Sequence, residues 1–356
     1  MRSVAFFIEP AVFRRDPAMF GVWAGWVARI AAINPAIDVT LISGRAVCDT
    51  TEPSANLRLA VMDLRPVLAA YDFCLADYSA DMTAAPTLPE QPEMTAALRS
   101  AAGPSEPSVV ISFTENRYLR LAFPRAEVLF TELGSLPQVS VPHTLFLDPV
   151  GHLSGVLNTR ADRLIALDPP MTVSQADALW DAHVAQRLHA QPQYPAVRDW
   201  IGGLGAGPLT LLVLQPADHP NYRPFTVASG PEALVQGVAA SCPTGVMVVT
   251  FHKDDVFAEP LKASIQHDFP NVVFPPHPLQ SGLSELMVGL VDRVVTFSSN
   301  AGFTAMLQGT PVTTLGSARY SALADHLRTC ERNGAAHRAI RRNLLAFFSN
   351  GYLNDL

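Results

Sequence analysis

Four polar clusters stand directly behind apolar runs of strand length, where chemistry is usually found. Gln215-Pro216-Ala217-Asp218-His219 follows Leu209–Leu214, and His252-Lys253-Asp254-Asp255 follows Gly245–Phe251. Pro275-Pro276-His277 follows Asn271–Phe274, and Ser298-Ser299-Asn300 follows Arg293–Phe297. A carboxylate behind a buried strand is costly unless it is hydrogen-bonded or used, so Asp218 reads as either a turn residue or an active-site acid. Glu132, behind the Glu127–Thr131 run, is its counterpart in the first half of the chain, and the two suit an acid/base or nucleophile-and-base pair. His252 and Lys253 can neutralise a departing phosphate, Lys as a point charge and His as a donor, or can simply occupy a surface loop. There is no D-x-D motif to carry Mg²⁺ on a sugar nucleotide, and His252, Asp254 and Asp255 are too sparse a set for a metal site. No metal is expected, and helix-dipole and cationic groups would have to do its work.

The elements around these clusters explain how they meet. Asp292–Gly316 reads as strand, Ser-rich loop, helix over Gly302–Gln308, Gly309 stop and a second strand over Pro311–Leu315. Ser298-Ser299-Asn300 is N-cap chemistry, so the loop is a helix N-terminus with N–H groups and a positive dipole. Gly302 would let a ligand approach the backbone, which suits a phosphate; a plain cap is the alternative. In an open parallel sheet the C-terminal strand ends face one crevice, so clusters distant in sequence can converge. Val4–Ile8, the Ala18–Ile33 helix and Asp38–Ser43 make an opening β-α-β unit, which implies such a sheet. Tyr71–Ala76 is the expected third strand, followed by Val109–Phe113, a Glu115–Ala122 helix and an edge strand at Leu145–Leu147. Ser174–Ala190 is a long helix, and Gln191–Gly207, with two prolines and four glycines, is the linker. The expected domains are therefore residues 1–200 and 208–356.

With 356 residues, 49% apolar and 16% charged, both domains can be well filled. A net charge of −7 argues against a nucleic-acid partner. The four cysteines lie far apart without ligand spacing, as in a reduced cytoplasmic chain. No apolar run reaches the ~18 to 20 residues of a membrane span. Ala18–Ile33, apolar almost all round, is a buried core helix or a membrane- or acceptor-facing one. Arg319–Arg342 carries six arginines, either a solvated face or a contact with a phosphate-bearing acceptor or an anionic lipid surface, the last of which would make the protein peripheral at the inner membrane.

The order E-x-G (Glu132 to Gly134), D-x-x-G (Asp148 to Gly151), Q-x-x-D (Gln215 to Asp218), strand-end His252-Lys253 and SSNAG (Ser298 to Gly302) resembles the capsule polysaccharide biosynthesis glycosyltransferases, the group containing the retaining β-Kdo transferases. The resemblance is densest over Val294–Gly316. It implies an α/β chain of GT-B type, two Rossmann-like domains with parallel sheets facing an interdomain cleft. It further implies retaining transfer of Kdo from CMP-Kdo to a bacterial surface-polysaccharide or glycolipid acceptor, without metal or cofactor. Asp218 would be the nucleophile and Glu132 would activate the acceptor hydroxyl. His252, Ser298 and Ser299 would hold the nucleotide phosphate, with Gln215, Lys253, His277, Asn300 and Gly302 completing the donor site. This chain has Thr304 where the family has Glu, and Thr250-Phe251-His252-Lys253 where the family reads K-P-H-P. Two other readings remain: a GT-B relative using another nucleotide sugar or acting as a sugar-nucleotide epimerase, and a non-catalytic binding module.

Overall fold

A computed structural model describes residues 3–9, 17–82, 90–133, 145–151, 155–205, 207–215, 230–242, 244–252, 256–280 and 282–350. Its strands form two separate sheets. The first contains β1 (Ser3–Phe7), β2 (Asp38–Ser43), β3 (Leu57–Val61), β4 (Val109–Ser112), β5 (Glu127–Leu133) and β6 (Leu145–Asp148) in the order β3-β2-β1-β4-β5-β6. The second contains β7 (Leu209–Val213), β8 (Val246–Thr250), β9 (Val272–Val273), β10 (Arg293–Thr296) and β11 (Val312–Thr314) in the order β11-β10-β7-β8-β9. Pairing is parallel from β3 through β5 and throughout the second sheet. Continuous apolar strands make this possible, because helices cover both faces: Phe7, Leu41, Ile42, Val110, Leu211, Leu212, Val248 and Val294 are all fully buried. The two parallel α/β halves expected from the sequence are thus present, each with a Rossmann-like strand order.

The apolar Pro17–Ile33 helix sits on the first sheet. Trp23, Ala24, Val27 and Ala31 are buried on one face, and Trp23 stacks on Phe113 with ring centroids 4.8 Å apart. It is therefore a core helix. Its other face leaves Val22 39% and Ile33 76% exposed. The third strand is Leu57–Val61, not Tyr71–Ala76. There Asp72 and Phe73 adopt positive φ of 50° and 58°, which no strand tolerates, and the chain turns into the Leu75–Met82 helix. Among the described residues no helix is long and apolar enough to cross a membrane.

The chain divides elsewhere than at Gln191–Gly207. One compact unit is Met1–Glu132 with Leu147–His152, and the other is Leu133–Phe146 with Leu153–Leu356. The prolines and glycines read as a linker are helix punctuation, since Pro195 opens the Tyr194–Gly202 helix and Gly203 closes it. The helices from residue 156 onward join the second unit because the C-terminal helix Ala335–Asn350 is bonded to them. Asn343, fully buried, donates to Leu164 O at 2.8 Å, and Arg341 and Arg338 bind the two oxygens of Asp177 at 2.9 and 2.8 Å. Of the six arginines read as a basic face, Arg338 and Arg341 are tied to Asp177 of these helices, Arg342 to Asp168 in the loop between two of them, and Arg332 to Asp292.

Arg341 is 5% exposed, so its charge depends on Asp177. Asp177→Ala leaves a buried guanidinium without its carboxylate and is expected to destabilise the second unit by ~3 kcal/mol in chemical denaturation. A loss below ~0.5 kcal/mol would show that water or other groups already serve Arg341.

Candidate functional site

The register of the second sheet brings the polar clusters to one edge. Thr296 pairs with Val213, and Val213 pairs with Thr250. Two residues beyond each stand Ser298, Gln215 and His252, at the same level on adjacent strand ends. Strand order reverses between β7 and β10, and ligands of open α/β sheets bind at such a reversal. Ser298 and Gln215 flank it, and the Ser298 hydroxyl donates to Gln215 Oε1 at 3.0 Å across 83 residues of sequence. His252, half-buried, is two strands from Ser298, ~10 Å at the usual strand spacing. It and Ser298 can bracket a nucleotide rather than share one phosphate oxygen. His277 lies beyond β9, a further strand away, exposed on a 3₁₀ turn, and is too distant to join Ser298 on one group.

Ser299 is the N-cap of the Asn300–Leu307 helix, as its residue type indicates, and its Oγ accepts from Ala301 N at 3.2 Å. Gly302 N donates to Ser299 O at 3.0 Å. Two of the first-turn N–H groups are thus satisfied inside the protein, and less of the helix end is open to an anion than the sequence suggests. Gly302 also has another purpose than expected. It is buried, and a Cβ there would stand 2.2 Å from Tyr320 Oη and 2.8 Å from Thr296 Cγ2. The missing side chain admits Tyr320, which donates to Ser299 O at 2.5 Å, rather than a ligand. Burial holds the Tyr320 phenol well above its usual pKa, so it stays a donor. Thr304 is 1% exposed and packs inside the helix–sheet core, so that position presents nothing to a guest.

Arg319, overlooked as one of a run of arginines, belongs to this helix end. Only 6% exposed, it donates to Asn300 Oδ1 at 3.1 Å and lies over the rings of Phe303 and Phe146, 5.1 and 4.1 Å away; Phe146 divides with the second unit. The only sequence signal was its place three residues after Gly316. Behind β8, Lys262 is a second buried cation, bonded to Gln280 Oε1 at 3.0 Å and Glu259 Oε1 at 2.8 Å. Gln280 O accepts from Phe251 N, so this group holds the strand end that carries His252.

Asp218 and Lys253 lie outside the described residues, as does the side chain of Glu132. In the first unit the D-x-x-G motif is a built turn. Asp148 Oδ1 accepts from Val150 N at 2.8 Å and Gly151 N at 3.2 Å, and Gly151 makes room for Glu115, whose carboxylate would be 2.6 Å from a Cβ there. Among the described residues no three His, Cys, Asp or Glu side chains converge as metal ligands do.

Gly302→Ala tests the packing role. A mid-helix Gly→Ala change ordinarily gains up to ~1 kcal/mol, whereas overpacking costs ~1–3 kcal/mol. Net destabilisation is expected, partly relieved by Tyr320→Phe in the double variant. A Gly302→Ala protein at least as stable as the parent would rule out the tight contact.

Residues 251–346 match the family model described as capsule polysaccharide biosynthesis protein. No curated protein matches the sequence. Among solved structures, the Thermosulfurimonas dismutans KpsC beta Kdo 2,7 transferase is 12% identical, with 96% of this chain and 90% of that chain covered at a TM-score of 0.46. The beta Kdo 2,4 transferase of the same KpsC is 17% identical over 68% of this chain and 81% of its own, with a TM-score of 0.41. An E. coli structure titled trehalose-6-phosphate, bound with UDP-2-fluoro glucose, is 9% identical over 99% and 98%, with a TM-score of 0.42. The family match begins at the end of β8 and contains His252, the Ser298 loop and Arg319. The similarity to the capsule polysaccharide biosynthesis proteins is carried by this segment, 251–346.

Proposed function

We propose that the chain is a glycosyltransferase of surface-polysaccharide synthesis whose second unit binds the nucleotide of a sugar donor at the β7/β10 strand ends. The observation that carries this is the Ser298–Gln215 hydrogen bond at the strand reversal, within a segment that matches the capsule family. A hydroxyl and an amide fixed to each other at the reversal, beside a capped helix end and a buried guanidinium, form a preorganised polar edge.

The finer reading names the donor and the chemistry. The donor is CMP-Kdo, in keeping with the family resemblance of Val294–Gly316 and with the similarity to the two beta Kdo transferase structures of Thermosulfurimonas dismutans KpsC. Asp218, in the segment that follows β7, attacks the anomeric carbon as the bond to the phosphate oxygen breaks and CMP leaves. Glu132, at the end of β5, then takes the proton of the acceptor hydroxyl while that oxygen displaces Asp218, so two inversions give net retention. Cationic and hydrogen-bonding side chains stabilise the leaving phosphate, and no metal is used. The acceptor is a saccharide or glycolipid, met at the inner membrane surface.

Incubation with donor followed by intact-protein mass spectrometry tests the covalent step. Glu132→Gln is expected to accumulate one added sugar with transfer slowed at least ~100-fold, the general-base contribution. Asp218→Asn should carry no adduct and transfer nothing. An inverted product anomer, or near-normal turnover of Asp218→Asn, would overturn the nucleophile. EDTA is expected to leave the rate unchanged, and a loss restored by Mg²⁺ would overturn the metal-free scheme.

A further inference from the structure

The Pro17–Ile33 helix has two apolar faces, and the protein covers one of them. Trp23, Ala24, Val27 and Ala31 are buried against the first sheet. Gly21, Val22, Gly25, Arg29, Ala32 and Ile33 share the opposite arc, about 120° wide at 3.6 residues per turn, and all but the half-buried Gly25 are exposed. A helix at a protein surface ordinarily turns a polar face to water, whereas one that is apolar all round is buried. Here the outward arc holds a single polar side chain, that of Arg29, and leaves Ile33 76% exposed. Trp26, half-buried, stands at the rim of the arc.

Room and charge together say what covers this face. Glycine weakens a helix interior relative to alanine, yet a Cβ on Gly21 would meet nothing within 4 Å, and one on Gly25 only the Arg29 guanidinium at 4.0 Å. The packing of the first unit requires neither glycine, so the space lies open to a surface approaching from outside. From Pro17 to Ile37 the chain holds no carboxylate although its net charge is −7, and Arg29 is the one ionisable residue of the stretch. The Arg45–Asp49 helix beside it adds one charge of each sign. An isologous contact with a second copy would set two Arg29 side chains in one small contact. Such an arc also falls far short of the ~20 to 30 residues that each side of a stable protein interface supplies. An anionic headgroup layer reverses the sign, since it attracts the guanidinium while Val22 and Ile33 enter its apolar boundary. The helix would lie on that layer, because no helix among the described residues is long and apolar enough to cross a membrane.

We infer that the outward face of the Pro17–Ile33 helix is a docking surface for an anionic lipid bilayer, with Arg29 at the headgroups and Val22 and Ile33 below them. This gives the first unit the lipid contact that the sequence offers to the C-terminal arginines, four of which are bonded to carboxylates. The inference rests on the membrane-surface part of the proposed function, not on its donor or its covalent step.

Flotation of the full chain with vesicles of phosphatidylethanolamine and phosphatidylglycerol, against vesicles of phosphatidylcholine, tests it for the parent, Arg29→Glu and Ile33→Asp. The parent is expected to float with the anionic vesicles and not with the others. Arg29→Glu reverses one charge and should weaken partitioning about 30-fold. Ile33→Asp should weaken it at least ~10-fold by removing the side chain that enters the apolar layer. Both positions are exposed, so melting temperature and CMP release from CMP-Kdo without vesicles are expected to stay at the parent's values. A parent that floats with neither vesicle, or with both equally, overturns the inference, as does partitioning that both variants retain. A lower melting temperature in either variant would show the face packed within the protein and overturn it. A dimer in sedimentation that either variant splits gives the face to a second copy and overturns it as well. A parent that floats as expected but never consumes CMP-Kdo keeps the lipid surface and overturns the donor reading.

Discussion

The parallel pairing of β10 with β7 is the constraint on which the candidate site depends. It sets side by side two strands that lie 83 residues apart, and it does so at the point where the winding of the second sheet reverses. On either side of a reversal the covering helices leave in opposite directions, so the strand ends there are not roofed by a connection. Register then decides which side chains meet. Because Thr296 faces Val213 and Val213 faces Thr250, Ser298, Gln215 and His252 stand at one level. A slip of one residue would send each of them to the opposite face.

Close packing fixes the rest of this edge. Gly302 gives the space that Tyr320 fills, and Tyr320 in turn bonds to Ser299 O, so the loop after β11 is clasped to the end of the neighbouring helix. Arg319 is carried there by the same clasp. A hydroxyl, an amide and a guanidinium are thereby held in place at one end of the sheet.

Part of the charge in the C-terminal hundred residues is turned inward. Asp177 accepts from both Arg338 and Arg341, Arg342 reaches Leu167 O and Asp168, and Lys262 is buried against Phe251. The arginine contacts join residues that lie more than 160 apart and make the 156–202 helices part of the second unit. An arginine-rich stretch is therefore not in itself a basic surface, because its character depends on which carboxylates the fold brings to it.

What the sequence by itself determined was local. Apolar runs such as Leu209–Val213 and Val246–Thr250 dictate buried parallel strands, and Ser299 before an apolar helical run dictates a capped helix, because both effects act over a few residues. Motif order reached further and marked the Ser298 loop within a segment that matches the capsule family. Only the tertiary structure decided that Leu57–Val61, not Tyr71–Ala76, is the third strand, since two positive φ angles break the latter run. It also decided that the unit boundary precedes the Val156–Thr159 helix, that Gly302 admits a tyrosine, and that Arg319 lies at a helix end. Each of these depends on a partner distant in the chain, and neither propensity nor spacing encodes which distant surface a side chain will meet.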